Sequence, residues 1–145
     1  MSPSIPVGER ILLTLWVGGL WAIGFIAAPI LFAVLEDRTL AGTLAGEMFR
    51  ALAWLGLVCG SLLLLFHKLS RGRPVWRLWV LAGMLLVILV DRLWLAPLIA
   101  DLRATGLSGS AEFARLHGVA STLYLLNSLA GLALVAFGPS RGQST

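Results

Sequence analysis

Charge is what this chain has least of: 12% of its 145 residues are charged and 59% are hydrophobic. Mean hydropathy is +0.93. A soluble domain carries about 25% charged residues, and a short chain leaves too much surface in water to hide so much apolar area. A lipid solvent removes the conflict, and residues 1–145 read as a single transmembrane domain. Cysteine is scarce as well. Cys59 stands alone, which excludes an intrachain disulfide, and its apolar surroundings suit a small buried residue. The chain has no H-x-x-x-H, no C-x-x-C and no methionine cluster, so it spells out no metal site. It also has no nucleophile elbow, P-loop or dinucleotide fingerprint. No enzyme activity and no cofactor are expected. The net charge of +4 comes without a basic stripe of interleaved aromatics, which argues against nucleic acid as a partner. The positives sit between apolar segments and suit the anionic headgroups of the lipid bilayer.

Four segments are long enough to cross a bilayer core, which takes about 20 apolar residues in a helix. They run at about 9–35, 47–67, 75–100 and 112–137, and they predict an all-α membrane protein built as a four-transmembrane-helix bundle. The links at Glu36–Thr39, Lys68–Pro74 and Asp101–Ser110 carry the charge, glycine and proline expected of connections in water. The first apolar segment is longer than a signal-peptide core and is read as a retained helix. Arg10, Lys68, Arg71, Arg73, Arg77 and Arg141 fall on one side, and Arg38, Arg50, Arg103 and Arg115 on the other. Positive charge prefers the cytoplasm. Both termini are therefore expected there, in a multi-pass protein of the bacterial inner membrane.

The two halves resemble each other. Ala28-Pro29-Ile30-Leu31 matches Ala96-Pro97-Leu98-Ile99, and Glu47-x-x-Arg50 matches Glu112-x-x-Arg115. The pattern suggests a duplicated helical hairpin about an axis along the membrane normal. Pro near helix ends and acidic first turns are also common in unrelated helices. Each Glu is expected in a first helical turn, where the dipole favours it, with the Arg three residues on as its partner. Gly56 and Gly60 form a G-x-x-x-G, and Gly18, Gly19 and Gly24 lie between Trp16 and bulky neighbours. Such faces bring helices close together in lipid. Internal packing is the favoured reading, and a homodimer through Gly56 and Gly60 is the alternative.

Asp91 and Arg92 interrupt the third apolar segment. Ionisable groups at that depth are costly and usually face a protein interior or a water-filled cavity. Asp91 is expected to point inward and Arg92 to snorkel outward. His117 is the natural partner for Asp91, since histidine titrates near neutrality, binds metals and bonds carboxylates. Arg115, His117, Asp91, Tyr124 and Asn127 are the candidate ligand or proton pathway between the third and fourth helices. They would serve equally as polar glue. His117, with Met48, is a weak candidate for a metal.

Trp16-Val17-Gly18-Gly19, Phe25-Ile26-Ala27-Ala28-Pro29-Ile30-Leu31-Phe32, Ala41-Gly42 with Gly46 and Phe49, and Phe113-x-x-Leu116-His117-Gly118 with Asn127 occur in that order. The set resembles a bacterial membrane domain of unknown function similar to the eukaryotic transmembrane protein 205, over about residues 9–137. The resemblance implies a four-helix membrane protein and, for the eukaryotic relatives, a link to resistance against platinum drugs. A more distant likeness to the copper-resistance D membrane domain would imply metal handling, but the additional histidines are missing. Two functions are therefore expected in competition. One is a small transporter or ion/metal-handling protein. The other is a non-catalytic accessory or scaffold subunit of a larger membrane complex.

Overall fold

The computed structural model describes residues 4–70 and 72–138, so Arg71 and Arg141, both counted above for orientation, lie outside the described residues. Among these residues the protein is helical, with four spans long and apolar enough to cross a membrane: Val7–Val34, Arg38–Leu69, Val75–Ala104 and Ala111–Ala136. The first comprises α1 (Ser4–Ala22), a π-helical turn (Ile23–Ala27) and α2 (Ala28–Val34). The second is α3 (Arg38–Leu69). The third comprises α4 (Val75–Val90), a second π turn (Asp91–Leu95) and α5 (Ala96–Ala104), and the fourth is α6 (Ala111–Ala136).

Local chemistry sets the boundaries. Asp37 caps α3 by accepting from the backbone N–H groups of Thr39 and Leu40 at 2.8 and 3.1 Å, an arrangement that contributes about 1 kcal/mol. The second helix therefore opens at Arg38, and Glu47 lies more than two turns inside it. Its expected role in a first turn is corrected. Glu112 does sit in the first turn of α6, where Ser110 accepts from Phe113 N–H at 3.1 Å. The link after α3 turns through Gly72 at φ +80°, and the link after α5 through Gly106 at φ +76°, a region glycine enters without strain.

The two π turns share one cause. Pro29 and Pro97 lack an N–H, and each ring would clash with the carbonyl four residues back in an α-helix. Widening the preceding turn removes the clash, and Ala28 N–H and Ala96 N–H reach back five residues to the carbonyls of Ile23 and Asp91. The turns at 23–27 and 91–95 lie 68 positions apart, as do Pro29 and Pro97. The same interval relates buried Leu13, Trp16 and Leu20 to buried Leu81, Met84 and Ile88. It also relates Cys59, Gly60 and Leu63 in α3 to Asn127, Ser128 and Gly131 in α6. In that register Glu47 corresponds to Arg115, so the matching Glu-x-x-Arg motifs are not equivalent positions.

The spans form a ring in chain order. α1 packs on α3 and α6, and α4 packs on the same two, so the first and third spans stand diagonally. The centre is filled by Trp16, whose indole lies against Gly56 and Gly60. A Cβ at Gly56 would stand 2.7 Å from the indole Nε1, and one at Gly60 3.0 Å from Cη2. The G-x-x-x-G face is thus occupied within the chain by Trp16. Gly131 likewise admits Val17, with a Cβ 2.9 Å from its Cγ2. Close backbone approach of this kind substitutes for the hydrophobic drive that lipid does not supply.

Candidate functional site

The polar residues singled out in the sequence do not assemble into one route. Arg92 folds back on its neighbour, donating from Nε and Nη2 to Asp91 Oδ2 at 3.0 and 2.9 Å. Both are half-buried. Two opposite charges that neutralise each other locally meet a lower desolvation cost than two separated ones, so the expected split, Asp91 inward and Arg92 outward, is replaced by a self-contained pair. His117 and Arg115 lie on the exposed side of α6, and His117 stacks on Phe113 one turn earlier with ring centroids 5.8 Å apart. His117 is therefore not the partner of Asp91 among the described residues.

Tyr124 and Asn127 face the other way. The Tyr124 hydroxyl donates to the Leu20 carbonyl of α1, and its ring meets Phe49 edge-on at 5.1 Å. Gly24 is required beside it, since a Cβ there would stand 2.3 Å from the ring. Asn127 is buried at 4% exposure, and its Oδ1 has no partner among the described residues. Of the helix-end pairs, Glu47 and Arg50 do bond, but both are more than half exposed. Such pairs contribute about 0–1 kcal/mol.

The concentrated charge lies instead at the end of the bundle where both termini emerge. Glu9 is 5% exposed and Arg77 is 3% exposed. Arg77 Nη2 donates to Glu9 Oε1 at 2.6 Å, and Arg73 Nη1 donates to Glu9 Oε2, so each carboxylate oxygen serves a different guanidinium. Arg77 Nη1 also donates to the carbonyls of Leu134 and Phe137 at 3.2 and 3.3 Å. Those carbonyls lie in the last turn and at the C-cap of α6, which an arginine satisfies well. The cluster thereby ties the first span to the third across the ring and closes the end of the fourth.

Two more polar groups lie at the same end of the bundle. His67 and Ser70 end α3, and His67 lies within charge–charge reach of Arg73, Arg77 and Glu9. His67 Nδ1 and Ser70 Oγ are buried without a hydrogen-bond partner among the described residues, and Ser70 is 6% exposed. Chemically this is a guanidinium-rich, partly unsatisfied polar centre. It suits anions and repels metal cations, and no three His, Cys, Asp or Glu side chains converge anywhere among the described residues.

Glu9 escaped notice in the sequence because it stood only as the first residue of a span, and Arg73 and Arg77 because they counted as loop positives. A signal was present. Glu9 precedes Leu13, Trp16 and Leu20 at helical spacing, on the stripe that faces the core. It also lies 68 positions before Arg77, at the interval that separates the two prolines.

No curated protein and no solved structure matches the chain. Residues 11–108, from within α1 to the link after α5, match the family described as Domain of unknown function (DUF4149). Since that match covers more than half of the chain, this four-span membrane protein belongs to the DUF4149 family.

Proposed function

We propose that this protein handles ions across the membrane and that its charged centre is the Glu9–Arg73–Arg77 cluster. The carrying observation is one buried carboxylate shared between two guanidiniums, at the same end of the bundle as a histidine and a serine with unused polar atoms. Ionisable groups inside a membrane bundle are expensive and tend to mark ion pathways. Here the cluster also bridges the diagonal spans, so parting Glu9 from Arg77 would open the bundle at one end. Of the ion classes considered, anions and protons suit the centre better than metal cations. The inner-membrane location with cytoplasmic termini belongs to the same reading, supported by Arg10 and Lys68 at the exposed rim of that end. So does kinship with the transmembrane protein 205-like proteins, on the ordered motifs quoted above.

The test is flux. Purified full-length protein in proteoliposomes is expected to carry chloride, phosphate or protons above the protein-free background, and Arg73→Gln to reduce that flux at least tenfold at equal membrane content. Flux at background for all three, or an Arg73→Gln rate equal to wild type, would reject the reading. Orientation is checked separately with Ser108→Cys, which an impermeant maleimide is expected to label from the periplasmic side of spheroplasts.

The accessory-subunit reading has its own observation. Trp54, Trp79 and Trp94 are 66, 72 and 65% exposed on the outer faces. A partner would have to dock there, because Trp16 fills the Gly56–Gly60 face. Crosslinking at Trp54 to a discrete second protein, with no flux, would favour it.

A further inference from the structure

The charge of the cluster identifies the ligand it lacks. Both oxygens of Glu9 are already engaged, one by each arginine, so two guanidiniums share one negative charge and no second carboxylate bonds to them among the described residues. An uncompensated positive charge is costly in so dry a setting. Arg77 spends its other nitrogen on the α6 carbonyls. Arg73, the more accessible of the two, makes no second hydrogen bond among the described residues and keeps donors free. Ser70, three residues before it and buried, has a hydroxyl without a partner, and so has His67 Nδ1 one turn further back.

We infer that this centre is a binding site for a phosphate-type oxyanion, held by the Arg73 fork, the Ser70 hydroxyl and His67, in competition with the Glu9 carboxylate. Guanidinium forks match the paired oxygens of such groups. Glu9 then acts as a resident counter-ion that the incoming anion partly displaces from Arg73, while Arg77 stays anchored on α6. The inference rests on the ion-handling reading and names the ion. The phosphate could be free or carried by a lipid. For the lipid, an apolar groove between α3 and α4, lined by Ser61, Leu64, Leu65, Leu78 and Trp79, runs to Lys68 at this same end and would take an acyl chain.

The experiment is a binding titration on the full chain, with two probes kept apart. Inorganic phosphate is added to lipid-free protein in neutral detergent and followed by calorimetry. Phosphatidylglycerol is added to protein in the same neutral, phosphate-free detergent and followed by native mass spectrometry. Wild type is expected to bind one of the two saturably. Arg73→Gln is expected to weaken that binding at least tenfold and Ser70→Ala severalfold. Glu9→Gln is the decisive variant: removing the competing carboxylate is expected to tighten binding about tenfold, whereas a purely structural salt bridge predicts no gain. Phosphate alone identifies a free anion, and phosphatidylglycerol alone identifies a lipid headgroup. Should Glu9→Gln fail to fold, as judged by circular dichroism, Glu9→Asp serves instead, since the shorter carboxylate also frees Arg73. Binding of neither probe by wild type, or no tightening in a folded Glu9 variant, overturns the inference. Flux without binding of either probe leaves the ion-handling reading standing, and binding without flux rejects that reading while keeping the site.

Discussion

Two regions of the bundle treat charge in opposite ways. At the end with the termini, Glu9 and Arg77 are almost fully buried and make bonds that span three of the four membrane crossings. Away from that end, Asp91 at mid-span holds only its neighbour Arg92, and Glu47 holds only Arg50 one turn away on the same helix. Local pairs neutralise charge without deciding where any helix goes. The long-range cluster does constrain it, because Glu9 cannot keep both arginines unless the first and third spans bring these ends together, with α6 against Arg77. The difference explains why the conspicuous mid-segment Asp91 carries less architecture than a glutamate at the edge of the first span.

Substitutions at these sites should rank in the same order. Arg77→Ala leaves a buried carboxylate half unpaired and the α6 carbonyls bare, and it is expected to cost about 3–5 kcal/mol, read as loss of folded protein in a detergent-micelle unfolding titration. A cost no larger than that of an exposed pair would contradict the structural weight given to this end. Gly56→Ala comes next. Its Cβ would meet the rigid Trp16 indole at 2.7 Å, and overpacking of that kind costs about 1–3 kcal/mol. Weakened self-association of a stable monomer in this variant would instead revive the homodimer. Asp91→Asn in the half-buried local pair is expected to cost less than either. Its thermal midpoint should stay within a few degrees of wild type, and a large drop would mean that Asp91 has a longer-range partner. Glu47→Ala is the smallest. Exposed helix pairs at this spacing contribute about 0.2–0.5 kcal/mol, so the midpoint should barely move, and only at low salt.

Much of the fold was legible and much of the site was not. The span count followed from apolar run length, because a bilayer allows few other ways to satisfy the backbone. The Ala-Pro repeats also pointed to related first and third spans, and the π turns at 23–27 and 91–95 extend that likeness. Other features resisted. The start of α3 at Arg38 was missed because Arg38 to Gly46 reads as a weakly apolar, glycine-containing link, while the Asp37 cap that starts the helix is a local hydrogen-bond event. His117 was assigned a partner by depth alone, and depth does not say which way a helix face points. Phe113, one turn away on the same face, supplied a cheaper contact.

Composition and spacing were enough to give four membrane-spanning helices, the Ala-Pro repeat of the first and third spans, and the poverty of charge that makes each ionisable residue consequential. These depend on composition and on spacing along one chain. Packing of the spans, by contrast, puts Trp16 on the Gly56–Gly60 face, pairs Asp91 with Arg92, and joins Glu9, Arg73 and Arg77 in one buried centre. The reason is geometric: a contact between residues 64 and 68 positions apart depends on the azimuth of each helix about its axis, and that angle is set by how all four spans pack together.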